Sequence, residues 1–145
     1  MQTIHTEVSI KASPESVWKA LVASPAIPVK IRNANTRMED RADLNVPMRS
    51  GGRSVTLTVK VLAADPPRQI RWKGYLWIPG LFDGEHSFEI RADIMGITIL
   101  FQHETFSGLL LPFLGKILRD TKQEFERMNA SIRDSAEQGE TETIS

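Results

Sequence analysis

Residues 68–110 read RQIRWKGYLWIPGLFDGEHSFEIRADIMGITILFQHETFSGLL, and the spacing of their apolar side chains decides the fold. Gln69–Trp77, Phe82–Arg91 and Ile97–Phe106 alternate apolar with polar residues. A period of two marks a strand with one buried face. Pro79-Gly80 and the segment from Asp93 to Gly96 separate the runs, so neighbouring runs read as hairpins. His86, Gln102 and Glu104 share the parity of Ile70, Trp72, Phe88 and Leu100. They therefore face the core, where polar groups need partners or a purpose.

The same reading extends upstream. Leu44, Val46 and Met48 alternate, Gly51-Gly52 supplies a tight turn, and Val55, Leu57, Val59 and Val61 alternate again. Asp65-Pro66-Pro67 then turns the chain into Gln69. At the N-terminus, Ile4, Val8 and Ile10 alternate with His5, Glu7 and Ser9, giving a first strand. Ser13-Pro14-Glu15-Ser16 predicts a helix start, with Ser13 at the N-cap and Pro14 in the first helical position. Ser16 stands where a capping box would have Glu or Gln. Val17, Trp18 and Leu21 form the apolar face of this helix, and Pro25 and Pro28 interrupt the chain beyond it, leaving a short, irregular helical piece at most. Lys30–Arg41 carries only Ile31 and Met38 as large apolar residues and is expected as a weak or bent edge strand.

A long helix is expected from about Ser107 to Glu137, with Pro112 tolerated in its first turn. Leu110, Leu114, Ile117, Thr121, Phe125, Met128 and Ile132 recur at steps of three or four and predict its buried stripe. The polar end of the chain reads as frayed. Strand, helix, a run of strands and a final helix make an α+β order, with the helix across one sheet face. A single domain over residues 1–138 and a polar tail over 139–145 are expected.

The 145 residues suit one core, and 41% hydrophobic with 25% charged residues is ordinary for a soluble domain. Eighteen basic and eighteen acidic residues cancel, so no global field draws the chain to nucleic acid or anionic lipid. Without cysteine there is no disulfide, thiolate metal site or thiol nucleophile. The alternating N-terminus is neither a signal peptide nor a membrane span, so a cytoplasmic location is expected.

The turns propose a register. Gly51-Gly52 at a hairpin tip sets Met48 opposite Val55, Val46 opposite Leu57 and Leu44 opposite Val59. Pairing Val61 with Ile70 sets Val59 opposite Trp72. Pairing Leu76 with Phe82 sets Trp72 opposite His86 and Gly74 opposite Gly84. Pairing Phe88 with Leu100 sets His86 opposite Gln102, Gly84 opposite Glu104 and Phe82 opposite Phe106. His86 is then diagonal to Glu104 and within hydrogen-bonding reach. Adjacent glycines remove side-chain volume and let the sheet bend. The polar trio reads either as a satisfied core network or as a ligand-contacting set. A carboxylate beside an imidazole also suits general acid/base work, making His86 and Glu104 the catalytic candidates. No nucleophile or oxyanion motif accompanies them.

Other signals point less sharply. His5, His86 and His103 form no metal set, since His5 faces outward and His103 has the opposite parity to His86. No metal or cofactor is expected. The run Leu109–Leu114 reads as the buried start of the helix or a lipid-facing entrance, far too short to span a membrane. Ile97, Ile99 and Phe101 make the last strand apolar on its outer face, which suits cover by a second copy of the chain or by the first helix. Arg53, Arg68, Arg71 and Lys73 lack an aromatic platform, which argues against nucleic acid. Gly51-Gly52 precedes no helix and is no phosphate loop.

The chain resembles the SRPBCC, or START-like, superfamily with the helix-grip fold, and within it the polyketide cyclase/dehydrase and lipid-transport group. The resemblance covers Ile4 to about Glu137. It rests on ASPESVWKAL after the first strand, the stretch from Pro66 to Trp72, PGLFDGEHSFEI at Pro79–Ile90, and ETFSGLL at Glu104–Leu110. It implies a seven-stranded antiparallel sheet gripping the C-terminal helix around a deep apolar cavity. It also implies a lipid, sterol or polyketide type of ligand, which some members cyclise or dehydrate. Trp72, His86, Gln102, Glu104, Phe106 and the helix face match the positions that would line the cavity. The chain departs from related sequences at Ile27, where an aromatic often follows the proline.

Three functions are expected in order. The first is binding or carriage of a small hydrophobic ligand, with Trp72, His86, Phe88, Gln102, Glu104, Phe106, Leu110, Leu114 and Ile117 as ligand-binding residues. The second is a cyclase/dehydratase-like or hydrolase-type enzyme in which His86 and Glu104 move protons. The third is a co-chaperone or toxin-like interaction module that uses the surface of the fold.

Overall fold

The computed structural model describes residues 1–24, 27, 44–50, 53–76 and 78–144; of 44–50, 53–57, 117 and 142–144 it describes the backbone. Strand β1 (Gln2–Ile10) is followed by helix α1 (Pro14–Ala23) and by β2 (Leu44–Ser50), β3 (Arg53–Asp65) and β4 (Gln69–Tyr75). Then come β5 (Asp83–Ala92), β6 (Thr98–Ser107) and helix α2 (Gly115–Ile144), with short 3-10 turns at Ile94–Gly96 and Leu111–Phe113. The strands form one antiparallel sheet in the order β1-β6-β5-β4-β3-β2. Six strands are present among the described residues where seven are expected. The expected edge strand at Lys30–Arg41 lies outside those residues, as do Pro25, Pro28 and the Gly51-Gly52 turn. Pro47, which has no N–H to give a second neighbour, lies on β2, the last strand of the sheet among the described residues.

Inward parity holds on every readable strand, while two registers differ from expectation by two residues. Leu44, Val46 and Met48 pair with Val59, Leu57 and Val55 as predicted. Val61, however, pairs with Trp72 and Val59 with Gly74. The turn is centred on Pro67, with Asp65 opposite Gln69, and a bulge between Val61 and Ala63 restores apolar residues to one face. Trp72 faces His86 and Gly74 faces Gly84, as predicted. Across β5 and β6, His86 pairs with Glu104, Phe88 with Gln102 and Gly84 with Phe106. The expected pairings put Gln102 opposite His86 and Glu104 opposite Gly84. The difference arises in the loop 93–97, closed by Asp93 N–H donating to Ile97 O at 2.7 Å. It contains two consecutive left-handed residues, Met95 (φ 70°) and Gly96 (φ 78°), and is two residues longer than the expected pairing allows.

Both helices pack on the inner face. Val17 and Leu21 of α1 join Ile10, Phe88, Leu100 and Ile132 in the main core. Each such side chain, fully buried, contributes about 1.5–3 kcal/mol over its exposed state. Helix α1 therefore does not cover the outer face of Ile97, Ile99 and Phe101. Ile27, at the departure from related sequences, is also buried in the main core. A second cluster holds Ile4, Phe106, Leu118 and Phe125. The buried seam of α2 is Leu118, Phe125, Asn129, Ile132 and Ala136. Phe125 and Ile132 of the predicted stripe are in it and Thr121 and Met128 are half-buried, whereas Leu110 and Leu114 fall outside because the α-helix begins only at Gly115: Gly108, at φ 123°, follows β6, and Pro112 sits in a 3-10 turn.

The C-terminal residues expected to fray are helical through Ile144, and side chains explain why. Ser13 caps α1, its hydroxyl accepting from Ser16 N–H at 3.2 Å. The reciprocal carboxylate that Ser16 cannot supply comes from α2. Glu140 Oε1 accepts from Ser13 N–H and from the Ser16 hydroxyl, each at 2.8 Å. Glu137 Oε1 accepts from Lys11 N–H at 3.0 Å. A capping box is thus completed between two helices at opposite ends of the chain.

Candidate functional site

Three strands and α2 build the polar row. His86 on β5 is held between aromatic rings: it stacks on Trp72 at 4.7 Å with planes 3° apart. Phe125 meets it edge-on at 4.9 Å, and Phe88 lies at 4.9 Å. Both ring nitrogens are engaged. Nδ1 lies 2.9 Å from Glu104 Oε2, and Nε2 lies 3.0 Å from Gln102 Oε1. Glu104 is the directly opposite residue and Gln102 the diagonal one, reversing the expected roles of the two.

The network continues through residues that sequence reading missed. Gln102 Nε2 donates to Asn129 Oδ1 at 2.7 Å and to Phe125 O at 3.3 Å. Asn129 Nδ2 donates to Thr6 Oγ1 at 2.8 Å, and the Thr6 hydroxyl donates to Gln102 O at 3.0 Å. Gln102, Asn129 and Thr6 are buried. Both missed residues carried a signal. Thr6 has the inward parity of Ile4 and Val8 on β1, and Asn129 falls between Phe125 and Ile132 on the buried face of α2.

The outer end of the network differs from the rest. Glu104's side chain retains 18% of its accessibility, against none for Gln102. Its Oε1 has no hydrogen-bond partner among the described residues. Gly84 makes the room for it: a Cβ there would lie 2.5 Å from Oε1 and 3.6 Å from the Phe106 ring. Phe82 stacks on Phe106 at 5.6 Å, and half-buried Leu111 packs on the same cluster. Gly84 therefore has a second consequence besides any bend, namely space for a carboxylate.

The remaining predicted residues fall in two groups. Trp72 and Phe88 lie in the main core beside His86, whereas Phe106 belongs to the second cluster. Leu110 and Leu114 precede α2 and are half-buried, and only the backbone of Ile117 is described. The run Leu109–Leu114, expected as the buried start of the helix or as an entrance, precedes α2 and is mixed: Leu109 and Phe113 are 79% and 83% exposed, and Leu110, Leu111 and Leu114 are half-buried. It is tied to the β4–β5 loop by Leu109 N–H to Gly80 O and Leu110 N–H to Leu81 O, each 3.0 Å.

His5 and His103 lie on the outer face, their rings stacked at 5.8 Å. They line an open groove of about 490 Å³ with Thr3, Glu89, Arg91, Phe101 and Thr105. Burial, and next the charge of His5, hold His103 below its ordinary pKa of 6.5. Among the described residues no group of three or more His, Asp or Glu side chains could hold a metal. Arg71 and Arg68 are paired with Glu85 and Asp65. No helix among the described residues is long and apolar enough to cross a membrane.

The sequence profile described as polyketide cyclase / dehydrase and lipid transport matches residues 1–137. No curated protein sequence matches the chain. Among solved structures, the chain is similar to StfQ, a di-domain ARO/CYC protein of the steffimycin biosynthetic pathway. The TM-score is 0.66 at 16% identity, over 96% of this chain and 52% of that one. A START superfamily protein from Mycobacterium smegmatis matches with TM-score 0.58 at 16% identity, over 99% of each chain. The Aha1 dimer from Colwellia psychrerythraea matches with TM-score 0.61 at 20% identity, over 94% of this chain and 97% of that one. At these identities the likeness is one of fold: the antiparallel sheet and C-terminal helix of START-like proteins.

Proposed function

The chain belongs to the polyketide cyclase/dehydrase and lipid transport family, and we propose that within it the protein binds and carries a small hydrophobic ligand between the sheet and α2. The ligand's polar end lies at Glu104, and Phe82, Phe106 and the loop before α2 supply apolar contact. The observation that carries this reading is the unfilled Oε1 of Glu104. It is the accessible end of an otherwise closed and buried network, and a glycine makes space for it. A ligand donor reaching this oxygen would replace solvent at the one acceptor that the network leaves to the outside.

Engagement of both His86 nitrogens favours binding over acid/base chemistry, because neither has a lone pair free to take a proton from a ligand. The ARO/CYC designation of StfQ supports a polycyclic aromatic or polyketide type of ligand as the first class to try. Native mass spectrometry of the protein purified from its own cells tests the reading. A small molecule released on denaturation is expected. The unliganded mass alone, with no uptake of naphthalene-sized probes, would overturn it.

A further inference from the structure

The hydrogen-bond network has a direction, and that direction specifies what the ligand must offer. Two main-chain carbonyls, which can only accept, set it. Gln102 O takes the single hydrogen of the Thr6 hydroxyl, so Thr6 Oγ1 must accept from Asn129 Nδ2. Asn129 therefore turns Oδ1 toward Gln102, whose Nε2 donates to it and to Phe125 O. Gln102 is left presenting Oε1 to the imidazole, so His86 Nε2 carries a hydrogen. One proton remains for the contact between His86 Nδ1 and Glu104 Oε2. It sits on the ring, giving an imidazolium beside a carboxylate, or on Oε2, giving a neutral pair.

In either arrangement Oε1 is an acceptor and carries no hydrogen. From this we infer that Glu104 Oε1 selects a ligand bearing a hydroxyl or N–H donor on an apolar skeleton. Ligands ending in a carboxylate or phosphate, or with ether and ketone oxygens alone, are rejected. The inference rests on the ligand-binding reading above and narrows it. An anionic head would place its charge against Glu104 and have no donor to meet, since His86 and Gln102 have spent theirs inside the network. An acceptor-only ligand would leave Oε1 desolvated and unpaired. The Phe106 ring, beside the same Gly84 position as Oε1, and half-buried Phe82 stacked on it supply the apolar contact close to that oxygen.

Three probes with one skeleton separate the possibilities: 2-naphthol, 2-methoxynaphthalene and 2-naphthoate, titrated at pH 7 and followed by amide NMR shifts. The naphthol is expected to bind about tenfold more tightly than the methyl ether, the size of one well-made hydrogen bond. The naphthoate is expected to bind weakest. Glu104→Leu should bring naphthol and ether to equal affinity. Glu104→Gln should keep the naphthol preference, because its amide N–H can donate to Nδ1 and leave Oε1 facing the ligand. If the leucine variant does not fold, Gly84→Ala replaces it, since the added methyl takes the space of Oε1 and should remove the preference. Equal affinity of naphthol and ether for the natural protein, or tightest binding of the naphthoate, overturns the donor rule and leaves the binding reading standing. Failure of all three probes to bind removes the binding reading and the donor rule together.

Discussion

Gln102 on β6 donates a 2.7 Å hydrogen bond to Asn129 on α2, and through it the sheet and the C-terminal helix share one buried polar network. Each residue meets a buried group of another element: His86 Nε2 for Gln102, and Thr6 Oγ1 for Asn129. The tie sits between two apolar clusters and fixes how the helix lies on the strands.

Gln102→Leu is expected to destabilise the fold by about 3 kcal/mol, because it orphans several buried groups at once. Asn129→Leu should cost about 2 kcal/mol. The double variant should cost less than the sum, with a coupling of about 1 kcal/mol or more. Urea denaturation of the four proteins measures this. Additivity within about 0.3 kcal/mol would show that the two amides do not act as a unit.

The direction of the network fixes the tautomer of His86. Nitrogen chemical shifts at pH 7 should show Nε2 protonated, and Gln102→Leu should release that restriction. A bare Nε2 in the natural protein contradicts the chain of donors running from Thr6 to Glu104.

Glu140 should make the fold sensitive to acid. Hydrogen bonds from the Ser13 main-chain N–H first, then from the Ser16 and Ser13 hydroxyls, hold its carboxyl below the usual range. The folded chain then binds this proton less readily than the unfolded chain. The stabilisation is complete above the unfolded carboxylate value and is lost as pH falls through the folded one. Glu140→Gln should lower the thermal midpoint at pH 7, and its deficit should shrink in acid. A deficit that grows on acidification would have the wrong sign.

His103 works in the same sense at higher pH. Burial first, then the charges of His5 and His86, lower its pKa from 6.5, while Glu89 and Glu85 oppose the shift. Its contribution to stability is therefore present above 6.5 and is lost as pH falls from there through the folded value. His5→Ala should raise the His103 midpoint in an NMR titration. A midpoint at or above 6.5 in the natural protein, or one that His5→Ala leaves unmoved, argues against the coupling.

Strand parity is a local property, which is why His86, Gln102 and Glu104 could be placed inward from alternation alone. Pairing is not local. The turn centred on Pro67 together with the bulge after Val61, and the five-residue loop at 93–97, each displaced a register by two residues, preserving faces while exchanging partners. Glu104 thereby became the neighbour of His86 and Gln102 its diagonal contact. Thr6 and Asn129 were legible as polar residues at inward positions, but their value depends on a helix more than a hundred residues from β1 lying against it.

Periodicity and caps depend on near neighbours, so an α+β chain with a meander of strands, a capped first helix and a long last one follows from local sequence. So does the set of polar residues that turn inward. Tertiary structure alone decided what those residues do. It completed the cap of α1 with a carboxylate from α2, and it closed Thr6, Asn129, Gln102 and His86 into a directed network. It left one oxygen of Glu104 open above a glycine. Hydrogen bonds between distant segments need both partners in place, and only the packed fold puts them there.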